Sequence, residues 1–488
     1  MAKRVVLAYS GGLDTSVAVR WLIENEGAEV IAVAVDVGQN ADASEADWDA
    51  IRERALAAGA IEATVVDARR EMAQDFCVPS LMANAKYEGK YPLVSALSRP
   101  VIVRHLVAEA RRHDARAVAH GCTGKGNDQV RFEVGTRALA PDLEVLAPAR
   151  VWGLTRADCI EYAATWGIPL SVTKEKPYSI DENLWGKAIE CGVIEDPWNQ
   201  PPEDVYTMTR QTASEPVEVI VGFEAGVPVS LDGRLLDADV LIAELNQLTG
   251  SYGFGRLDMV ENRRVGIKSR ETYECPGALA LLMAHADLED LTLERDLHHE
   301  KARLEPRWSE LVYDGLWYSP LKQALDAFFL EAQTYVTGEV RLRCEPGKCF
   351  VVGRRSPVSL YDYGLATYDA ADTFHHEEAA GFVRLWGQGV ATWSARQQVP
   401  SATPGTAAPG SAAPTPAPAG TTAPGEPTAG TTAPAGPTTG APAPADPTAG
   451  TTAPADPAAD ASAPAEPDAI VLGPADTSLA APGTGTGS

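Results

Sequence analysis

The chain has 488 residues, 45% of them hydrophobic, which is enough for two or three domains of ordinary size that fold without staples. Its 41 Lys and Arg face 67 Asp and Glu, a net charge of -26 that repels polyanions and excludes nucleic acid as an expected partner. The 7 cysteines are scattered, with no C-x-x-C pair and no His cluster at metal-ligand spacing, so a reducing compartment without structural zinc is expected.

In chain order, the apolar run after Lys3-Arg4 is too short for a signal h-region. No run of about 18 apolar residues would span a membrane, and a cytoplasmic location is expected. Strands are predicted at 5–9, 30–35, 61–66 and 117–119, with helices from Asp14, from Ser44 and over 98–112. That alternation predicts an α/β fold, a mainly parallel sheet covered by helices on both faces. From 171 to 368 the pattern mixes strands (217–223, 339–344, 350–353) with long helices (236–249, 276–303, 320–337), which predicts an α+β domain. Over 382–396, Phe382, Leu385, Trp386, Val390 and Trp393 are spaced to pack on a partner subunit, although Gly387 and Gly389 weaken a helix there. Beyond Arg396 the chain turns to Pro, Ala, Gly and Thr in ten-residue repeats such as TTAPGEPTAG, a composition that predicts a disordered, solvated spacer. A short apolar cluster, Ile470-Val471-Leu472, interrupts it. The expected domains are therefore 1–170, 171–370, a C-terminal oligomerisation segment 371–396 and a tail 397–488.

The first chemical motif is Ser10-Gly11-Gly12-Leu13-Asp14-Thr15-Ser16, between the first predicted strand and helix. Glycines let backbone N–H groups approach phosphate oxygens, and the helix N-terminus adds donors and a favourable dipole. No lysine follows, so it is not a Walker A loop, and it lacks the G-x-G-x-x-G of a dinucleotide site. A second junction, Gly121-Cys122-Thr123-Gly124-Lys125-Gly126-Asn127-Asp128-Gln129-Val130-Arg131-Phe132, follows the 117–119 strand and gathers polar groups where ligands bind at the carboxyl edge of a sheet. Two further stretches mix aromatics, hydroxyls and charges, one holding Tyr91, Ser95, Ala96 and Arg99, the other Ser179, Asp181 and Ala188. The last two are Val260-Glu261-Asn262-Arg263 and the 266–276 segment with Lys268-Ser269-Arg270 and Tyr273-Glu274. Such charge-rich stretches are ordinarily solvated faces with internal ion pairs.

The Ser10 loop resembles the pyrophosphate loop of the N-type ATP pyrophosphatases, which cleave ATP to AMP and diphosphate through adenylylated intermediates. The remaining motifs, in order along the chain, resemble those of the argininosuccinate synthases (type 1-like). That resemblance implies ATP contacts from Ala8, Tyr9, Ser10, Gly11, Gly12, Leu13, Asp14, Thr15, Ser16, Val35 and Gly121, with Asp36 near adenosine and Mg2+ held through the ATP phosphates. It implies citrulline contacts from Tyr91, Ser95, Ala96, Asn127, Arg131, Ser179, Ala188, Glu261 and Tyr273, and aspartate contacts from Thr123, Asn127 and Asp128. Some members of the family carry Ser where this chain has Ala96, and Ser is common in the family where it has Ala188, so hydroxyls are missing on one side of the citrulline pocket. The resemblance further implies a homotetramer with C-terminal segments crossing between subunits. A tRNA-thiolating member would need a catalytic cysteine pair and a basic surface, and an amidating member a glutamine amidohydrolase domain; neither set is visible. An ATP sensor without turnover stays open on sequence alone.

Overall fold

The computed structural model describes residues 3–39, 44–169 and 178–397. The chain divides into two units, Met1–Trp393 and Ser394–Ser488, and the description below concerns the first, with 394–397 entering only as the end of its last helix. The tail repeats, Ile470-Val471-Leu472 and the residues just before Tyr178 lie outside the described residues.

The N-terminal part is built on a parallel sheet of order β3-β2-β1-β4-β5, with β1 Lys3–Ala8, β2 Ala28–Asp36, β3 Glu62–Asp67, β4 Ala117–Ala119 and β5 Glu144–Leu146. Its central strands are near-continuous apolar runs because helices cover both faces. Side-chain alternation shows the two faces directly. Val5 and Leu7 pack with Val17, Leu22 and Val30 on one side, while Val6 packs with Ile31, Val33, Leu97 and Val103 on the other. Order 3-2-1-4-5 places β1 centrally, with β4 beside it, so the loops after these two strands open side by side.

The C-terminal part carries two antiparallel sheets. One has order β11-β12-β7-β6, from β6 Ser179–Asn183, β7 Gly186–Glu190, β11 Arg256–Asn262 and β12 Lys268–Glu274. The other has order β10-β9-β8-β13-β14, from β8 Val217–Glu224, β9 Val227–Leu231, β10 Arg234–Leu235, β13 Gly338–Glu345 and β14 Lys348–Arg355. The first of these sheets is fastened to the parallel domain by its β6–β7 turn. Trp185, fully buried, donates from Nε1 to the Pro92 carbonyl at 2.9 Å, Asn183 donates to the Val94 carbonyl at 2.8 Å, and Leu184 N–H reaches the Val37 carbonyl at 2.9 Å.

Several helix limits differ from the sequence expectation. The helix predicted from Ser98 begins at Val94 and runs to Arg112, launched by Leu93 in a left-handed conformation (φ 69°). The helix predicted over 276–303 is two, Pro276–Thr292 and Arg295–Tyr313. Leu293 is extended, and the Glu294 carboxylate accepts from Asp296 N–H and Leu297 N–H, capping a new helix. Pro320–Ala332 stops short of 337. Conversely, Gly387 and Gly389 do not interrupt His376–Gln397, and none of that helix is buried. Phe382, Leu385, Trp386, Val390 and Trp393 all stand exposed on it.

Candidate active site

The Ser10–Ser16 motif turns from β1 into the helix Leu13–Glu26, as its spacing predicted. Gly11 sits at φ +73°, a left-handed conformation that glycine adopts without strain. The hydroxyls tie the loop to itself: Ser10 Oγ lies 3.1 Å from Thr15 Oγ1 and accepts from Gly12 N–H at 3.3 Å. Below it, Tyr9 Oη and Ser16 Oγ are joined at 2.9 Å in the core, and Arg54 donates to the Gly11 carbonyl. The loop is thus pinned from beneath while the helix N-terminus stays free to receive an anion. Ala8 precedes it on β1; Val35 and Asp36 end β2 alongside, both buried. The Val35 carbonyl accepts from Gln39 Nε2 at 2.8 Å, and the Asp36 carboxylate accepts from Gly38 N–H at 2.9 Å.

The loop after β4 closes against this one. A Cβ on Gly121 would stand 3.0 Å from Thr15 Cγ2, so only glycine lets the two loops meet without displacing a side chain. From there the chain passes exposed Thr123 and Lys125 to the helix Asp128–Leu139. Gln129 gathers the turn by donating to the Gly124 and Gly126 carbonyls. His120, buried and stacked on Phe132, accepts from Cys122 N–H at 3.2 Å; burial depresses its imidazole to about 4, so it stays neutral.

At the far end of this loop lies a cavity. Tyr91, Ser95, Asn127, Asp128, Arg131, Ser179, Ala188, Glu261 and Tyr273 all line it, although they come from widely separated stretches of sequence. Ala96 is set apart: one position beyond Ser95 on the helix, it turns its methyl into the core, 1% exposed. Gly121, Thr123 and the Ser10–Ser16 loop are not part of the cavity wall.

The wall and the layer just behind it include residues to which the resemblance gave no ligand role. Arg99 donates to Asp128 and to Asp181, 2.7 Å each, and Arg131 donates to the other Asp128 oxygen at 2.8 Å. Burial alone would raise the Asp128 carboxyl, but the two guanidinium groups outweigh it and hold it at about 2. Arg263 bridges Glu190 and Glu271. Tyr273 Oη lies 2.8 Å from both Glu261 and Glu271. Tyr313 donates to Glu261 at 2.6 Å. Burial, and then the nearby Glu271 carboxylate, push Glu261 up to about 7; the same two causes raise Glu190. Arg99, Asp181, Glu190, Arg263 and Glu271 sit inside or beside the quoted motifs, so the motif positions pointed to their neighbourhood. Tyr313, at the end of a helix, carried no sequence signal.

Five carboxylates (Asp128, Asp181, Glu190, Glu261, Glu271) thus line one cavity and meet three guanidinium groups, Arg131 and Arg263 in its wall and Arg99 behind it. Such a surplus of partly buried acid suits a ligand that brings its own ammonium group, while the arginines offer donors for a carboxylate. A parallel sheet with an anion loop at its carboxyl edge, joined through one short loop to a charged cavity, is the arrangement of an ATP-dependent ligase. The particular kind follows from two family models: the arginosuccinate synthase N-terminal HUP domain matches residues 4–169, and the arginosuccinate synthase C-terminal domain matches 178–393. The chain belongs to the argininosuccinate synthase family, whose members join citrulline to aspartate while splitting ATP into AMP and diphosphate. Among solved structures, a predicted subunit of a tRNA methyltransferase from Methanocaldococcus jannaschii matches over 33% of this chain and 74% of its own, at 12% identity and a TM-score of 0.24. Similarity that slight carries no argument. Among the described residues no helix is long and apolar enough to cross a membrane.

Proposed function

We propose that the two places just described divide the family's reaction between them. The Ser10–Ser16 loop holds the departing diphosphate of ATP through backbone N–H groups and hydroxyls. Ala8, Tyr9, Val35 and Gly121 line the path to the adenosine, with Asp36 beside it. Mg2+ suits this edge chemically, because the donors here, Asp14 and the hydroxyls of Ser10 and Thr15, are hard oxygens. They are few, so phosphate oxygens of ATP would supply most of the ligands. When bound, the ion offsets phosphate charge.

Citrulline occupies the cavity. Its α-ammonium pairs with Glu261, and Tyr273, Tyr91 and Ser95 surround it. Arg131, Asn127 and Ser179 take its carboxylate and ureido ends, and Ala188 contributes only a methyl. Aspartate lies at Thr123, Asn127 and Asp128, where an ionised Asp128 accepts from the substrate's α-amino group. The ureido oxygen of citrulline attacks the α-phosphorus, the bond to the bridging oxygen breaks, and diphosphate leaves. The aspartate amine then attacks the activated carbon and AMP departs, its phosphate taking the proton. The chain contributes positioning, charge complementarity and exclusion of water from the adenylylated intermediate.

The observation that carries this reading is the convergence of Tyr91, Asn127, Arg131, Glu261 and Tyr273, from four separate stretches, on one cavity reached from the phosphate loop through residues 121–128. Purified protein with ATP, citrulline and labelled aspartate tests it. AMP and diphosphate release that depends on citrulline, and that Glu261→Gln abolishes at low citrulline, is expected; release indifferent to Glu261 would sink the assignment. We further propose a cytoplasmic homotetramer whose 371–396 segment reaches a neighbouring subunit, supported by the exposed apolar residues of His376–Gln397. The domains we assign are 1–170 for ATP and 171–370 for the amino-acid substrates, followed by the 371–396 segment and the 397–488 tail.

A further inference from the structure

We infer that Tyr313 is a positioning residue that fixes the groups shared by the citrulline and aspartate sites. The inference rests on the proposed placement of those substrates in the cavity. Tyr313 ends the helix Arg295–Tyr313 and is 1% exposed. Its ring stacks on Tyr87 with centroids 3.5 Å apart and meets Tyr91 edge-on at 6.4 Å, while the Arg131 guanidinium lies over it at 5.0 Å. Its carbonyl accepts from Arg131 Nε at 3.1 Å. One residue therefore touches Tyr91, Asn127, Arg131 and Glu261, which reach the cavity from three different parts of the chain.

Proton accounting shows what its hydroxyl does. A phenol has one proton, and here it goes to Glu261 Oε1 at 2.6 Å, while the phenolic oxygen itself accepts from Asn127 Nδ2 at 2.7 Å. The Asn127 Oδ1 accepts from Arg264 N–H at 2.9 Å. The carboxamide is thus held at both ends and cannot flip, leaving one N–H and one lone pair for substrates. Asn127 is the residue assigned to both citrulline and aspartate, so its orientation sets both. On the other side, Tyr313 holds one Glu261 oxygen, and Tyr273 Oη, which divides its single proton between Glu261 and Glu271 at 2.8 Å each, flanks the second.

Tyr313→Phe removes the hydroxyl and keeps the ring stack. Loss of one hydrogen bond to a charged group predicts a rise of roughly ten- to hundredfold in KM for citrulline. A smaller rise for aspartate, and an ATP KM changed by less than about twofold, are also expected, since neither hydroxyl partner lies on the phosphate loop. The hydroxyl also favours the ionised form of Glu261, against the Glu271 carboxylate and with Arg131, so the acidic limb of kcat/KM for citrulline should move to higher pH in the variant. A residue that merely supports the fold would change all three KM values together and leave the pH limb in place; that result overturns the inference. Glu261→Gln in parallel separates the two layers. If it leaves the citrulline KM unchanged, the substrate placement itself falls. If it raises that KM while Tyr313→Phe does not, only the role of Tyr313 falls.

Discussion

The loop after β1 is built from seven consecutive residues, whereas the cavity presents side chains from stretches near 91–95, 126–131, 179–190, 261–273 and 313. The first needs little more than a strand, a glycine turn and a helix start, so local sequence suffices to build it. The second exists only when one antiparallel sheet and three helices have been brought together, and its charges are held by one another. A site of the first kind fails one substrate at a time; a site of the second kind fails as a network.

That contrast can be broken most severely at Arg131. Replacing it by Ala strips one of the two cations from Asp128 and the backbone anchor to Tyr313, and we expect a loss of roughly hundredfold in kcat/KM for both amino-acid substrates. Unfolding in urea should show a destabilisation of about 3 kcal/mol, as for a broken buried pair. A loss below about 1 kcal/mol would place the pair in the class of screened surface contacts.

The pH dependence sharpens the same contrast. Glu261, raised to about 7, must be ionised to receive an ammonium group, so kcat/KM for citrulline should fall as pH drops below about 7, close to tenfold for each further unit at the limit. ATP binding measured without citrulline should not follow that limb. Stability runs the opposite way. Because the folded-state value lies above the ordinary 4.5, the empty protein is stabilised most below that pH and loses the contribution as pH rises through about 7. Urea midpoints across that window, with Glu261→Gln as the flat reference, check the sign.

Gly121→Val tests the backbone-built site. The added branches press on Thr15, and an increase of about tenfold in ATP KM with citrulline affinity in the cavity nearly intact is expected, in line with overpacking of 1–3 kcal/mol. Equal losses for ATP and citrulline would mean that the two places are not separable. A smaller change is expected from Ala188→Ser, which adds a hydroxyl beside Tyr273, its partner in the strand register. One neutral hydrogen bond predicts a citrulline KM lower by a factor of about three to ten. Competition binding of citrulline would read it, and an unchanged value would show that the hydroxyl finds no ligand there.

What the sequence disclosed follows the same division. The phosphate loop and the parallel sheet were legible because each signal is contiguous: a glycine turn between an apolar run and a helix start, and strands buried on both faces. The cavity was legible only through resemblance, which named Tyr91, Asn127, Arg131, Glu261 and Tyr273 without saying what holds them. Tyr313 left no trace, since a tyrosine closing an amphipathic helix is indistinguishable from a core residue until Asn127 and Glu261 are seen to meet on its hydroxyl. The break at Leu293 was hidden because helical propensity runs through it, and only the Glu294 cap ends the continuity. At Gly387 and Gly389 the penalty of glycine was outweighed by the good helix formers around it.

The stretch from Gly121 to Asp128 has one further consequence. It starts in contact with Thr15 and ends as the helix that carries Asp128 and Arg131, so its length acts as a ruler between nucleotide and amino acid. Each residue adds at most about 3.6 Å of reach. Removing or adding a single one between Thr123 and Gly126 would shift one reactant past the other by more than the length of the bond they are to form, which makes this loop far less tolerant of insertion than its exposed surface suggests.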